Sequence, residues 1–172
     1  MSFVIAIVRC VFLFIALVLG CVGMALPQIQ NKSDSSKYYI THFENAAGAE
    51  TKYGDVACGM YNERFTASLA LGIIGLILLA ATLVLAVVTI IMGSRNGFIF
   101  IVAGGITNCV ASVFLLTCWA LTVAFYDGGA TYCGAAAPKD SDFKIGSGLA
   151  LLISSWCVLA VSGCCAAGST AE

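Results

Sequence analysis

The sequence predicts an all-α membrane protein: a four-helix transmembrane bundle with a small β cap built from its polar loops. Three observations predict it. Of the 172 residues, 60% are hydrophobic and 10% charged, against about 25% charged in an average soluble domain. Mean hydropathy is +1.00. Four apolar runs each reach the roughly 20 residues that a membrane-spanning helix needs. The same composition excludes a disordered chain. Eight Lys and Arg against nine Asp and Glu leave a net charge of −1, so no basic field exists to hold nucleic acid.

The first run is Phe3 to Leu26, interrupted only by Arg9. Gly23-Met24-Ala25 could pass for a signal-peptide cleavage site. The run is longer than a signal h-region of about 7–15 residues, and the residues before Arg9 are themselves apolar, so a retained span is expected. The second, third and fourth runs are Phe65 to Met92, Phe98 to Phe125 and Ile145 to Ala167, all uncharged. None alternates as a β-barrel strand would. Gly93 to Gly97 can form only a tight hairpin, so the second and third helices are antiparallel neighbours. The polar loops are 27–64 and 126–144, and one tetraspan domain covers 1–172.

The signals for orientation oppose one another. Six of the eight basic residues lie in the two polar loops, which by the positive-inside rule would place them in the cytosol. Asn31-Lys32-Ser33 is an N-glycosylation sequon in the first loop. Cys58 and Cys133 lie one in each polar loop, as a disulfide outside the cytosol requires. We therefore expect a multi-pass plasma-membrane protein with both termini cytosolic, Asn31 glycosylated and Cys58 bonded to Cys133.

Lipid gives helices no hydrophobic reason to associate, so small and polar residues mark the contact faces. Rows with a period of seven occur in every span: Arg9, Ala16 and Gly23; Ser68, Gly75, Thr82 and Thr89; Gly105, Ser112 and Trp119; Gly148, Ser155 and Ser162. A sustained period of seven predicts a left-handed bundle. Arg9 lies less than two turns from its helix start and is expected to snorkel to the headgroups. Asn108 is expected to bond a neighbouring helix, and Trp119 and Trp156 to fill the core. No acidic residue occurs in a span, which argues against a proton or cation pump.

Of the nine cysteines, Cys10, Cys21, Cys109, Cys118 and Cys157 read as small apolar packing residues. Cys164 and Cys165 close the fourth span at the membrane face, a usual place for palmitoylation. No C-x-x-C pair exists and the one histidine, His42, has no cysteine near it in sequence, so neither a zinc site nor a Cys/His nucleophile is expected. No cofactor is implied.

Tyr38 to Phe43 is rich in strand formers, and Thr51 to Tyr61 is a weaker candidate. Tyr38, Tyr39, His42 and Phe43 are candidate interaction residues, because exposed aromatics favour contact surfaces. They are equally suited to packing the cap onto the helix ends.

Cys58 followed by Asn62-Glu63-Arg64-Phe65, the stretch from Asn108 to Trp119 and Tyr126, and Phe143 to Gly148 leading to Trp156 together resemble the amastins. These are small tetraspan surface proteins of kinetoplastid parasites, within the broader claudin-like set of four-helix membrane proteins. The resemblance covers most of the chain. It implies the same bundle, a β cap and loops outside the cell, and it implies no defined reaction. The family's first-loop signature of Cys, a Thr-Leu-Trp-Gly-like stretch and a second Cys is replaced here by Tyr39 to Glu44.

The expected function is that of a non-enzymatic surface protein, acting through its outer loops in adhesion, shielding or membrane organisation. The alternative is an auxiliary subunit of a channel or other membrane complex, docking a partner helix on lipid-facing Gly72, Gly75 and Gly104-Gly105. Its partners would be membrane lipid and either another membrane protein or a second copy.

Overall fold

The four apolar runs become four helices: α1 Phe3–Ala25, α2 Gly59–Met92, α3 Phe98–Gly128 and α4 Ser147–Gly168. The computed structural model describes residues 3–33, 35–55, 59–92, 98–128, 138 and 142–168. All four helices are long and apolar enough to cross a membrane. At 1.5 Å per residue, α2 with its 34 residues is about 51 Å long. It therefore reaches beyond the roughly 30 Å hydrocarbon core, and its first turns belong to the cap.

Around the bundle, α1 packs against α2, α2 against α3, α3 against α4 and α4 against α1, with α2–α3 and α1–α4 the most extensive pairs. The buried positions follow one rule in every helix. They are 9, 13, 16, 20 and 23 in α1, and 65, 68, 72, 75, 79, 82 and 86 in α2. In α3 they are 104, 108, 111, 115, 118, 122 and 125, and in α4 148, 152, 155, 159 and 162, with 149 beside them. Steps of three and four alternate without a break, which is the seam of a left-handed bundle. The expected rows of α1 and α4 lie on these seams, and so does that of α2 at Ser68, Gly75 and Thr82, with Thr89 only partly buried. That of α3 is one residue off: Gly104, Ala111 and Cys118 face inward, in place of Gly105, Ser112 and Trp119. A one-residue shift rotates a helical face by about 100°, and small residues fill both columns of α3.

Polar groups bond across the seams, as expected where lipid offers them nothing. Ser155 donates to the Ala16 carbonyl at 2.6 Å, and Ser68 to the Cys118 carbonyl at 2.8 Å. The Thr82 and Thr107 hydroxyls lie 3.0 Å apart. Trp119 and Trp156 meet edge to face at 6.0 Å.

The cap is a five-stranded antiparallel sheet of order β4-β3-β2-β1-β5. Its strands are β1 Ile29–Asn31, β2 Lys37–Tyr38, β3 His42–Glu44, β4 Glu50–Lys52 and β5 Phe143–Ile145. Three expectations need correction. Tyr38 to Phe43 is not one strand but the ends of two, because the chain folds back at Tyr39, whose N–H bonds the His42 carbonyl at 2.9 Å. The fold-back drives Ile40, 1% exposed, into the top of the bundle beside Cys118 and Leu152. Likewise the described residues of Thr51 to Tyr61 form the end of β4, a 3-10 turn at Tyr53–Asp55 and the start of α2. Ile145 also leaves the expected fourth span. It pairs with Ile29 in the sheet, so α4 starts at Ser147.

Strand β5 comes from the second polar loop and pairs with β1 of the first, so the sheet ties the two loops together. A cluster of Ile29, Tyr53, Phe65 and Phe125, with Tyr38, Phe43, Tyr126 and Phe143 packed against it, joins the sheet to α2 and α3. Gly148 sets the approach of α4 to the end of α1. A β-carbon there would stand 2.4 Å from the Leu26 carbonyl oxygen and 2.8 Å from that of Gly23.

Candidate functional site

The sheet gives the cap two different faces. The inner face is aromatic. Tyr38 lies 4.7 Å from Phe43, 5.4 Å from Phe143 and 5.8 Å from Phe125 between ring centroids, so both Tyr38 and Phe43 are half-buried packing residues of the cap–bundle junction. The outer face is made differently. Tyr39 stacks on His42 with centroids 4.5 Å apart, and Thr41 Oγ1 lies 2.9 Å from His42 Nδ1. Burial and the neighbouring Glu44 carboxylate push the Tyr39 phenol above its ordinary range. The β3–β4 turn, Asn45 to Glu50, is exposed throughout. Asn45 Oδ1 accepts from the Ala47 and Ala49 amides at 3.0 and 2.9 Å. Gly48 closes the turn with φ of 78°, a value that favours glycine.

Beneath this outer face lies a cleft of about 400 Å³ between the sheet and the first turns of α2. His42, Glu50, Lys52 and Asn62 form its polar rim, and Ile40 and Tyr53 its floor. His42 Nε2 and Glu50 Oε1 are 3.9 Å apart. The Tyr53 hydroxyl reaches the Tyr39 carbonyl and, at 2.9 Å, that of His42, holding the β2–β3 turn over the cleft. A half-apolar pocket with a few converging donors and acceptors is suited to binding a side chain or small polar group. Sequence reasoning found His42 but not Glu50, Lys52 or Asn62, which come from β4 and from the first turns of α2.

Asn31 ends β1. Its Oδ1 accepts from the Ser33 amide at 2.8 Å and the Ser33 hydroxyl at 2.9 Å, so the sequon is a local turn at the sheet's edge. Cys58 and Cys133 lie outside the described residues, and their expected disulfide with them. Cys164 is exposed on α4; the side chain of Cys165 lies outside the described residues.

A second cavity, of about 560 Å³, opens between α3 and α4 at the end of the bundle opposite the cap. Arg9, 2% exposed, lines it. Its side chain does not snorkel outward as expected but turns into the bundle, where Nη2 would sit 3.5 Å from a β-carbon on Gly104. Asn108, 4% exposed, lines the same cavity, and its Oδ1 has no protein hydrogen-bond partner. The glycines expected to face lipid do not. A β-carbon on Gly72 would meet Met24 and Cys118, and one on Gly75 would meet Leu115. Gly104 is buried, and Gly105 alone of the four has open space beside it.

The model of the amastin surface glycoprotein family matches residues 4–163, from the first turn of α1 to the last turns of α4. The chain belongs to the amastin family. A search of curated proteins finds no match. Family membership bears out the resemblance read from the sequence and makes this a multi-pass membrane protein of a surface glycoprotein family. In this amastin the stretch that replaces the family's first-loop signature, Tyr39 to Glu44, is the one that forms the β2–β3 turn and the wall of the cleft.

Proposed function

We propose that this amastin is a non-enzymatic plasma-membrane protein whose cap faces outward and both of whose termini are cytosolic. On this reading it binds an extracellular partner through the outer face of the sheet, in adhesion, shielding or membrane organisation. The observation that carries the reading is the division of labour in the cap. Its large aromatics hold it rigidly on α2 and α3, while Tyr39, His42 and the cleft are left to the outside. Rigid positioning lowers the ordering cost of binding, and a cap needed only to close the bundle has no use for a polar cleft. The surface-glycoprotein character of the family supports the outward orientation, as does the sequon at Asn31.

The test is site-specific photo-crosslinking in intact cells. A cross-linker at Thr41, beside the cleft, should capture a partner that His42→Ala weakens. One at Val113, exposed on α3, should capture none. Capture at Val113 alone would favour the auxiliary-subunit reading and overturn this one.

A further inference from the structure

We propose that the cavity between α3 and α4 is a binding site for one acidic phospholipid of the membrane leaflet on the side of the termini. Three independent features converge there. The first is charge: the Arg9 guanidinium lines the cavity within an otherwise apolar segment. Arginine is the side chain best shaped to hold a phosphate through paired N–H donors. The second is an unsatisfied acceptor. Asn108 Oδ1 is buried without a protein partner, about one turn of α3 beyond Gly104, where Arg9 ends. Buried polar atoms of this kind are matched in nearly all proteins, so the unmatched amide makes the cavity wall polar at the depth where the glycerol of a lipid held by its phosphate at Arg9 would lie. The third is shape. The rim residues Val102, Cys109 and Cys164 are exposed on the outer surface of the bundle, so the cavity opens sideways, where lipid lies.

The dimensions suit one leaflet. From Ile101 to Ser112 along α3 is about 16 Å, half of a roughly 30 Å hydrocarbon core. Arg9 lies about 9 Å from the start of α1 and Gly104, beside which its guanidinium ends, about 9 Å from the start of α3, so a phosphate drawn into the mouth of the cavity meets the guanidinium at that depth. The wall of the cavity at Gly105 carries no side chain, and nothing lies within 4 Å of where its β-carbon would be. A larger residue there would fill the site without displacing protein.

The test uses the full chain in nanodiscs carrying a photoactivatable phosphatidylglycerol or phosphatidylcholine, with labelled peptides mapped by mass spectrometry. Phosphatidylglycerol should label the α3–α4 groove at least roughly fivefold more strongly than phosphatidylcholine, the selectivity expected of one basic residue near a lipid surface. Arg9→Gln should erase the preference. Gly105→Leu, which replaces glycine by a better helix former, should keep the fold and reduce labelling by both lipids. Unlabelled phosphatidylglycerol should compete and inorganic phosphate should not. Equal labelling by the two lipids, unchanged labelling in Gly105→Leu, or competition by inorganic phosphate would overturn the proposal. So would a stoichiometric polypeptide captured in the groove in place of lipid. Should Arg9→Gln fail to fold, the wild-type preference and the Gly105→Leu result decide the matter.

Discussion

Tyr53 stacks on Phe65 with ring centroids 4.4 Å apart and planes within 12° of parallel. Tyr53 belongs to the 3-10 turn after β4, and Phe65 lies on the inner seam of α2. The contact thus joins the last strand of the first loop to the first membrane helix that follows it. Phe65 in turn meets Phe125 edge to face at 5.0 Å, which carries the same link to α3.

Removing that link should loosen the cap first. Phe65→Ala deletes a buried ring, a change that costs about 3–5 kcal/mol in well-packed cores. The expected outcome is a lower unfolding temperature in detergent and faster proteolysis within residues 29–55, with the four helices still protected. Tyr53→Phe keeps the ring and loses only the hydroxyl between the Tyr39 and His42 carbonyls, so about 1 kcal/mol is expected.

Two glycines should respond in opposite ways to the same substitution. Gly148→Ala forces a methyl against the Leu26 carbonyl, and backbone cannot yield as a side chain can. Overpacking of this kind costs about 1–3 kcal/mol. Gly105→Ala meets nothing and should be neutral, or stabilising by up to about 1 kcal/mol from helix propensity. Thermal unfolding of both variants in one detergent checks the contrast. Equal effects would mean that α1 and α4 do not approach as closely as described.

The hydrogen bonds between helices should prove weak singly. Ser155→Ala removes the bond to Ala16, and membrane-protein measurements average about 0.6 kcal/mol for such a bond. A loss above roughly 2 kcal/mol would show that Ser155 does more than join α4 to α1.

The sequon makes a chemical prediction. Surface-expressed protein should carry a glycan that an endoglycosidase removes, and both Asn31→Gln and Ser33→Ala should abolish the mass increment. A wild-type mass unchanged by the enzyme would show that Asn31 is unmodified.

The helices were legible because lipid imposes a simple demand: about 20 predominantly apolar residues with few or no charges. The seams of α1, α2 and α4 were legible too, since Ala16 and Gly23, Ser68, Gly75 and Thr82, and Gly148, Ser155 and Ser162 are small or polar and recur every seven residues. On α3 small residues occupy two adjacent columns, and composition could not choose between them. The cap was harder. Strands of two or three residues, such as Lys37–Tyr38 and Phe143–Ile145, are too short to show alternation. Ile40 is apolar in a stretch of strand formers, and nothing local marks it as the residue that leaves the sheet for the bundle. Arg9 reads as a snorkelling cation by its depth, but which way its side chain turns depends on the opening at Gly104, two helices away in sequence. The cleft was least legible, because His42, Glu50 and Asn62 meet only once the sheet and α2 are in place.

The outward orientation of the cap is the claim on which the proposed function rests, and a paired epitope experiment tests it most directly. One tag is placed in the exposed β3–β4 turn between Ala46 and Ala47, another after Glu172, and each is stained in intact and then permeabilised cells. The account predicts staining of the turn tag in intact cells and of the terminal tag only after permeabilisation. Staining of the terminal tag in intact cells, with the turn tag hidden until permeabilisation, would contradict it.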